Sequence, residues 1–535
     1  MDPQSLHDRA RLTMTLPKEL VVADPGRRKA IKTLAAATIL LPGASPFAFA
    51  ATEAAPQRGG RIRVALANQS LTDSLDPSKG THTGDYSRAY MFYSGLTELD
   101  ADFKTQNALA EKLESDDFVK WTVTLRPDVR FHDGKPFTSD DVVFSLMRHK
   151  DPATASKAKS IADGIASVKA AGPLKVEITL TEPNVDLPAL LAIPHLVIVA
   201  ANTTDFSKGN GTGPFVVKEF TPAQRCIGTR NPNFWKPGRP YLDEVEIIGI
   251  GDDAARTNAL LAGDVQLISP LPARDVERVK QTGKVTILES PSQLYSDLAL
   301  RQDMLPTKSA DFNEGIKYLH DRQRIVKVML QGHGTLANDH PVPEWHPYFM
   351  KGLPQRTYDP DKAAFHFKKA GTPGARAEII APPSVETALD SAMMVQQAAK
   401  QAGVDINVRR VPADGYWTTY WMKYPMTYGS ILPRPTLDLL YTQFFRSNAN
   451  WNESGWKNEQ FDQLLVQARR ERDEAKRKQM YGDMQTIIYE KNSLVIPAFI
   501  NFIDAQSAKL RGLKGSPSGR VMGYRFAEFA WLEKA

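Results

Sequence analysis

Short segments with apolar residues at every second position alternate along this chain with longer segments of helical period. That alternation restricts the fold more than any other feature. Residues 61–67, RIRVALA, place Ile62, Val64 and Leu66 on one side of an extended segment. Residues 121–125, WTVTL, and 176–180, VEITL, repeat the pattern, and 215–220, 244–250, 377–380 and 405–410 read as further strands. Between them lie helical stretches at 86–96, 253–262, 316–330, 361–370, 387–402 and 458–489. Another begins after Thr138, with Ser139 as its expected N-cap ahead of 142–147. Strands alternating with helices predict mixed α/β lobes, paired in part in parallel. Ligands in such sheets bind at the carboxyl ends of the strands, often where two lobes meet. The length of 535 residues suggests two to four domains. No internal repeat or low-complexity segment interrupts the pattern.

The first fifty residues stand apart. Residues 26–50 read GRRKAIKTLAAATILLPGASPFAFA: a basic pair at Arg27 and Arg28, an apolar run over 33–41, then Ala48-Phe49-Ala50. A basic region, a short apolar region and an A-x-A site, in that order, predict an export signal. The apolar run is too short to cross ~30 Å of hydrocarbon as a helix. The arginine pair resembles a twin-arginine signal, with Gly26 in place of the usual Ser or Thr and Ala30 in place of the usual Phe. No later stretch reaches eighteen apolar residues.

Charge and chemistry exclude several classes. The net charge is +6, and seven basic against four acidic residues in the first fifty account for +3 of it. The rest is spread out. The densest basic stretch, 469–478, is interrupted by Glu471, Asp473 and Glu474 and reads as a solvated helix face, so nucleic acid is not an expected partner. The single cysteine, Cys226, forms no internal disulfide and reads as a buried small hydrophobe. There is no H-E-x-x-H, G-x-S-x-G, paired-Cys or complete P-loop motif, and an enzyme is not expected. Gly211-Thr212-Gly213-Pro214 lacks the Gly-Lys-Ser/Thr ending of a phosphate loop, and its glycines instead suit a close backbone crossing. His132, in a run of turn formers, reads as a structural histidine. His333, His340 and His346 fall in a Pro- and Gly-rich loop at spacings that match no common metal pattern, so no cofactor is expected.

Several blocks, in one order, resemble the family 5 extracellular solute-binding proteins of ABC transporters. They are WTVTLRPDVRFHDGKPFTSDDVVFSL at 121–146, GTGPFVVKEF at 211–220 and RNPNFWKPGRPYLDEVEI at 230–247. SLDP at 74–77, GLTELD at 95–100, DRQRIVKVMLQGHG at 321–334 and YDPDKA at 358–363 join them, so the resemblance covers nearly all of the chain beyond Gly60. It implies a two-lobed type II periplasmic binding protein fold of α/β class with an inserted subdomain. The expected division is an export signal at 1–50, lobe I at 51–103, 206–304 and 504–535, the insert at 104–205, and lobe II at 305–503. The lobes would close about a hinge on a ligand. The implied protein is a periplasmic, monomeric substrate-binding subunit that hands a small molecule or peptide to an inner-membrane ABC permease. A carrier of nickel complexes or haem on the same fold, and a secreted hydrolase, are the alternatives.

Within that resemblance, residues 429–441, GSILPRPTLDLLY, are the most informative. Peptide binders of the family often carry an Asp-Pro pair here, whose Asp holds a ligand ammonium. This chain has Arg434-Pro435, with Asp438 beyond. Arginine grips a carboxylate through two parallel hydrogen bonds, which favours an acidic or opine-like ligand. Asp438 is expected to pair with Arg434 or with a ligand amine, and Tyr441 completes the candidate set. Trp417, Tyr420, Trp421 and Tyr424, at helical spacing, form either an aromatic cleft wall or a core-packed face. By the resemblance, His82 and Thr83 face the cleft; read alone, they fit an exposed loop equally well.

Overall fold

A computed structural model describes residues 55–534. The export signal read over residues 1–50 lies outside them. Two mixed sheets dominate. In the first, Arg61–Leu66 is the centre and pairs in parallel with Glu244–Gly249 on one side and Leu267–Ser269 on the other. Arg225–Arg230 and Phe215–Thr221 extend one edge antiparallel, and Phe502–Ser507 followed by Val285–Ser290 extend the other. The period-2 apolar pattern of the central strand is used on both faces. Ile62, Val64 and Leu66 pack against Met91, Phe92 and Phe526, while Ala65 packs against Leu260, Val265 and Val279. Cys226 is part of this core, and burial raises its thiol pKa to about 12, so it is an inert apolar filler.

The second sheet runs in the order Gly334–Leu336, Ala498–Ile500, Tyr295–Leu300, Met426–Ile431, Arg376–Ala381, Asp405–Arg410. Helices Ala310–Tyr318, Pro360–Lys369 and Ala388–Gln401 cover one face. Leu437–Phe444, Glu459–Arg470 and Glu474–Lys491 cover the other. A four-stranded antiparallel sheet, Ala110–Glu114, Lys120–Leu125, Lys175–Leu180 and Ile165–Ala170, has its own core around Trp121, Val123, Leu125, Val142 and Ile178. Among the described residues no helix is long and apolar enough to cross a membrane.

The chain crosses between the two large sheets twice. Residues 291–294 join Val285–Ser290 to Tyr295–Leu300, and Asn501 joins Ala498–Ile500 to Phe502–Ser507. The crossings are tied together: Ser292 Oγ donates to the Ile500 carbonyl at 2.7 Å, and the Ile500 amide donates to the Leu294 carbonyl at 2.8 Å. Two adjacent extended connections make a hinge. It stands some ten residues before the division expected at 304 and 305, because Tyr295–Leu300 pairs along its whole length with Met426–Ile431 in the second sheet.

Four helix expectations differ in detail. Thr138, not Ser139, caps Ser139–Met147, and the Asp141 carboxylate returns the capping bond to the Thr138 amide at 2.7 Å. The stretch 458–489 is two helices, because Asp473 caps a second one by accepting from the Ala475 and Lys476 amides. The stretch 316–330 breaks after Tyr318 and restarts at Arg322–Arg324, running on into a single wide turn, Ile325–Met329. Only Tyr416–Thr419 of the aromatic segment is helical. Met422 takes φ 59° and Tyr424 precedes Pro425, which disfavours continuation.

Candidate ligand cleft

The strands that run in parallel end on the same side of each sheet, and the loops beyond Ser269 and Ala381, one from each sheet, line a common cavity. Arg434 lies three residues past Ile431, where another of these strands ends. Its backbone amide donates to Oε1 of the hinge residue Gln293 at 3.3 Å. Its Nε donates to Gln443 Oε1 at 2.6 Å, its Nη1 donates to the Leu432 carbonyl at 2.9 Å, and its guanidinium lies 5.1 Å from the Phe444 ring centre. From the first lobe come Tyr86 and Tyr524, in edge contact at 5.1 Å, with Tyr86 also against His195 at 5.3 Å. Burial lowers the Arg434 pKa, and the three groups that oppose this are Tyr86, Tyr295 and Tyr524. Burial likewise raises Tyr86 to about 12. Among the described residues no carboxylate forms an ion pair with Arg434. It is a half-buried cation held only by neutral partners.

Asp438 is therefore not the partner expected for it. It accepts from Arg469 Nε at 2.9 Å, and burial raises its pKa to about 6 despite that contact. Tyr441 is also removed from the cleft. It is 0% exposed, packed among Phe445, Phe461 and Tyr481. Three residues apart on Leu437–Phe444, Asp438 and Tyr441 share the helix face that turns into the protein.

Trp417 and Trp421 do come together, in edge contact at 5.3 Å, with Trp417 43% exposed and Trp421 half-buried. The aromatic core anchor of this segment is a residue the sequence did not single out, Tyr416, whose hydroxyl donates to the Tyr428 carbonyl at 2.6 Å. Trp421 Nε1 donates to Glu453 Oε1 at 2.6 Å. Glu453 and Asp297 lie together over Gly429, where any Cβ would strike both carboxyls. Both are buried without a cation, and burial raises Asp297 to about 6 and Glu453 further. One proton shared between them resolves the like-charge conflict. No motif marks this pair, since its members lie far apart in sequence.

His82 is the N-cap of Thr83–Phe92: its Nδ1 accepts from the Gly84 amide at 3.2 Å. Thr83 is the first residue of that helix and half-buried. His82 Nε2 meets Asp73 at 2.9 Å and Asp85 at 3.4 Å, and these three form the only metal-like His/carboxylate group among the described residues. The group is already served by a cation, because Arg88 pairs with both Asp73 and Asp85. His333, His340 and His346 do not converge. His333 meets Glu289 at 3.0 Å, and burial holds His340 and His346 neutral, with pKa values of about 4 and about 3. His132 braces the crossing glycines, with its Nε2 3.1 Å from the Gly213 carbonyl and its Nδ1 accepting from the Gly211 amide at 3.3 Å.

The insert also touches the second lobe. Arg469 pairs with Glu182 at 3.0 Å, the Val185 amide donates to the Arg469 carbonyl at 3.0 Å, and Arg477 pairs with Asp186.

The family model described as bacterial extracellular solute-binding proteins, family 5, middle, matches residues 104–453. The chain belongs to that family. Family 5 proteins capture a solute outside the cytoplasm and work with an ABC permease. Over 469 residues this chain is 27% identical to the glutathione-binding protein GsiB of Escherichia coli K12, covering 84% of this chain and 91% of that protein. Two solved structures share the fold. The periplasmic binding protein DppA of Helicobacter pylori, in complex with the peptide STSA, superposes with a TM-score of 0.78 at 23% identity, over 89% of this chain and 99% of that one. AgaA of A. tumefaciens R10, in complex with agropinic acid, gives 0.75 at 23% identity over the same shares. The two-lobed α/β fold is thus the family's own.

Proposed function

We propose that this family 5 protein captures a peptide or an opine-like amino-acid conjugate bearing a free carboxylate, and that Arg434 grips that carboxylate. The observation that carries the reading is the charge state of Arg434. A half-buried guanidinium with only carbonyl, amide and aromatic partners leaves room for an anion to complete it. An incoming carboxylate supplies two charge-assisted hydrogen bonds and neutralises the site. Glutathione, a peptide and agropinic acid, named for or bound to three of the similar proteins, are amino-acid derivatives with free carboxylates, while two other similar structures hold nickel–histidine complexes. Trp417 and Trp421, packed edge to face with Trp417 exposed, are the aromatic surface offered to the apolar part of such a ligand.

Closure follows from the same contacts. Each lobe holds part of the ligand's partners, so only the closed arrangement completes both sets. Moving a protein from mostly open to mostly closed takes a difference of about 5 kcal/mol between the states. The ligand is released unaltered to the permease, by a monomer exported through the twin-arginine route. Arg434→Ala weakens binding of the co-purifying ligand, identified by mass spectrometry, by about 2 to 5 kcal/mol in calorimetry. Unchanged affinity removes Arg434 from the site. Replacing Arg27 and Arg28 by Lys leaves unprocessed precursor inside the cell if the pair directs export; normal processing assigns export to the general route.

A further inference from the structure

The way Arg434 is held limits what it can grip. A guanidinium offers five N–H donors in one plane and no acceptor. Nε donates to Gln443 Oε1 at 2.6 Å. Nη1 donates to the Leu432 carbonyl at 2.9 Å and reaches the Pro433 carbonyl at 3.4 Å. The Phe444 ring centre lies 5.1 Å from the guanidinium carbon, and Trp451, 44% exposed, packs on Phe444 at 5.5 Å. Among the described residues Nη2 donates to none. Of the two forks that an arginine can offer a carboxylate, the one through Nε is taken and the one formed by Nη1 and Nη2 is left.

Two glutamines fix this arrangement, one on the side chain and one on the main chain. Gln443 belongs to the last turn of Leu437–Phe444, two residues beyond Tyr441. At about 100° per residue it stands on the opposite side of the helix from that buried ring, half-buried and turned toward Arg434. A guanidinium only donates, so the amide of Gln443 presents its oxygen. Gln293, on the hinge crossing and 2% exposed, accepts from the Arg434 amide at 3.3 Å and donates to the Pro341 carbonyl at 3.2 Å. Both acceptors are neutral. The acid nearest to Arg434 in the sequence, Asp438, is committed to Arg469 at 2.9 Å. A glutamate at 443 would make the same bond as an ion pair, and the arginine charge would be neutralised within the protein.

We propose that Gln443 is the positioning residue of the carboxylate grip and sets its preference for anions. Its oxygen locks the guanidinium through Nε, leaves the Nη1–Nη2 edge as the fork for the ligand, and keeps the cation unneutralised until an anion arrives. Gln443 does not touch the ligand; it acts through Arg434. Gln293 holds the main chain beneath the same residue and so ties the grip to the hinge. This rests on the reading of Arg434 given above and adds to it the residue that keeps that arginine oriented and charged.

The test is calorimetry of the mature protein, stripped of ligand, against a defined panel: dipeptides, tripeptides and carboxyethyl amino acids of the opine class, each as the free acid and as the carboxamide. The wild type prefers the acids by roughly 10- to 100-fold, and Arg434→Ala loses that preference. Gln443→Glu, which pairs Arg434 inside the protein, loses it too, through weaker binding of the acids with binding of the amides unchanged. Gln443→Met, which removes the acceptor without adding a charge, lowers the preference by about 3- to 10-fold. Neither substitution adds a loss in the Arg434→Ala background, because both act through the same group. The two variants decide independently of one another. Full acid preference in either Gln443 variant overturns the positioning role and leaves the Arg434 reading standing. An equal loss for acids and amides, or a loss that adds to that of Arg434→Ala, makes Gln443 a structural or direct contact and also overturns it. A wild type without acid preference, or an Arg434→Ala variant that keeps it, overturns the cleft reading itself, and this inference with it.

Discussion

The pairing of Glu453 with Asp297 shows what single residues do beneath this cleft. Two buried carboxyls in contact keep at least one proton, and the donated Trp421 Nε1–H fixes Glu453 Oε1 as an acceptor. Both groups bind protons more tightly folded than unfolded. The stability they contribute is therefore present at low pH. It is lost as pH rises above the ordinary carboxylate range and through about 6, by up to about 1.4 kcal/mol per pH unit for each group. Glu453→Gln replaces the protonated carboxyl by an amide that still accepts from Trp421 and donates to Asp297. Its Tm relative to wild type rises between about pH 5 and about pH 8; a constant difference over that range denies the shared proton. At this scale the sequence was partly legible. Arg434 stood out because Arg-Pro replaces a familiar Asp-Pro. Asp438 and Tyr441 misled, because their helix phase against the sheet is set by packing on Phe461 and Tyr481, which no local pattern reveals. Tyr86 and Tyr524, which stand near Arg434, carried no local signal at all.

The strands were the most readable elements, since period-2 runs such as those at 61–67 and 121–125 record their faces directly. The aromatic segment was less so: its spacing fits a helix, but Met422 and Pro425 end the helix after one turn. One link between elements bears on function. The segment around Asp186 in the insert docks on Glu459–Arg470 and Glu474–Lys491 through Glu182–Arg469 and Asp186–Arg477. Arg477 and Asp186 are 9% and 14% exposed, so removing one leaves the other largely desolvated. These contacts join the insert to the helices of the second lobe. Asp186→Ala favours the open arrangement and lowers ligand affinity by about 1 to 3 kcal/mol without touching the ligand, seen in calorimetry as weaker binding with unchanged ligand selectivity. Unchanged affinity excludes the insert from closure.

For the whole molecule, several separated blocks in one order were legible as a family, and the fold follows from the family. The position of the hinge was not, because it depends on Tyr295–Leu300 pairing with a strand more than a hundred residues away. The account reduces to a claim about shape: two sheets joined by two short crossings close upon a carboxylate-bearing solute and reopen to release it unaltered. Small-angle scattering of the mature protein measures this most directly, with the co-purifying ligand first removed and then restored. The account predicts a smaller radius of gyration on restoring the ligand, no such contraction in Arg434→Ala at the same concentration, and intact ligand afterwards. An unchanged radius in the wild type at saturation, or a ligand recovered in altered form, would contradict it.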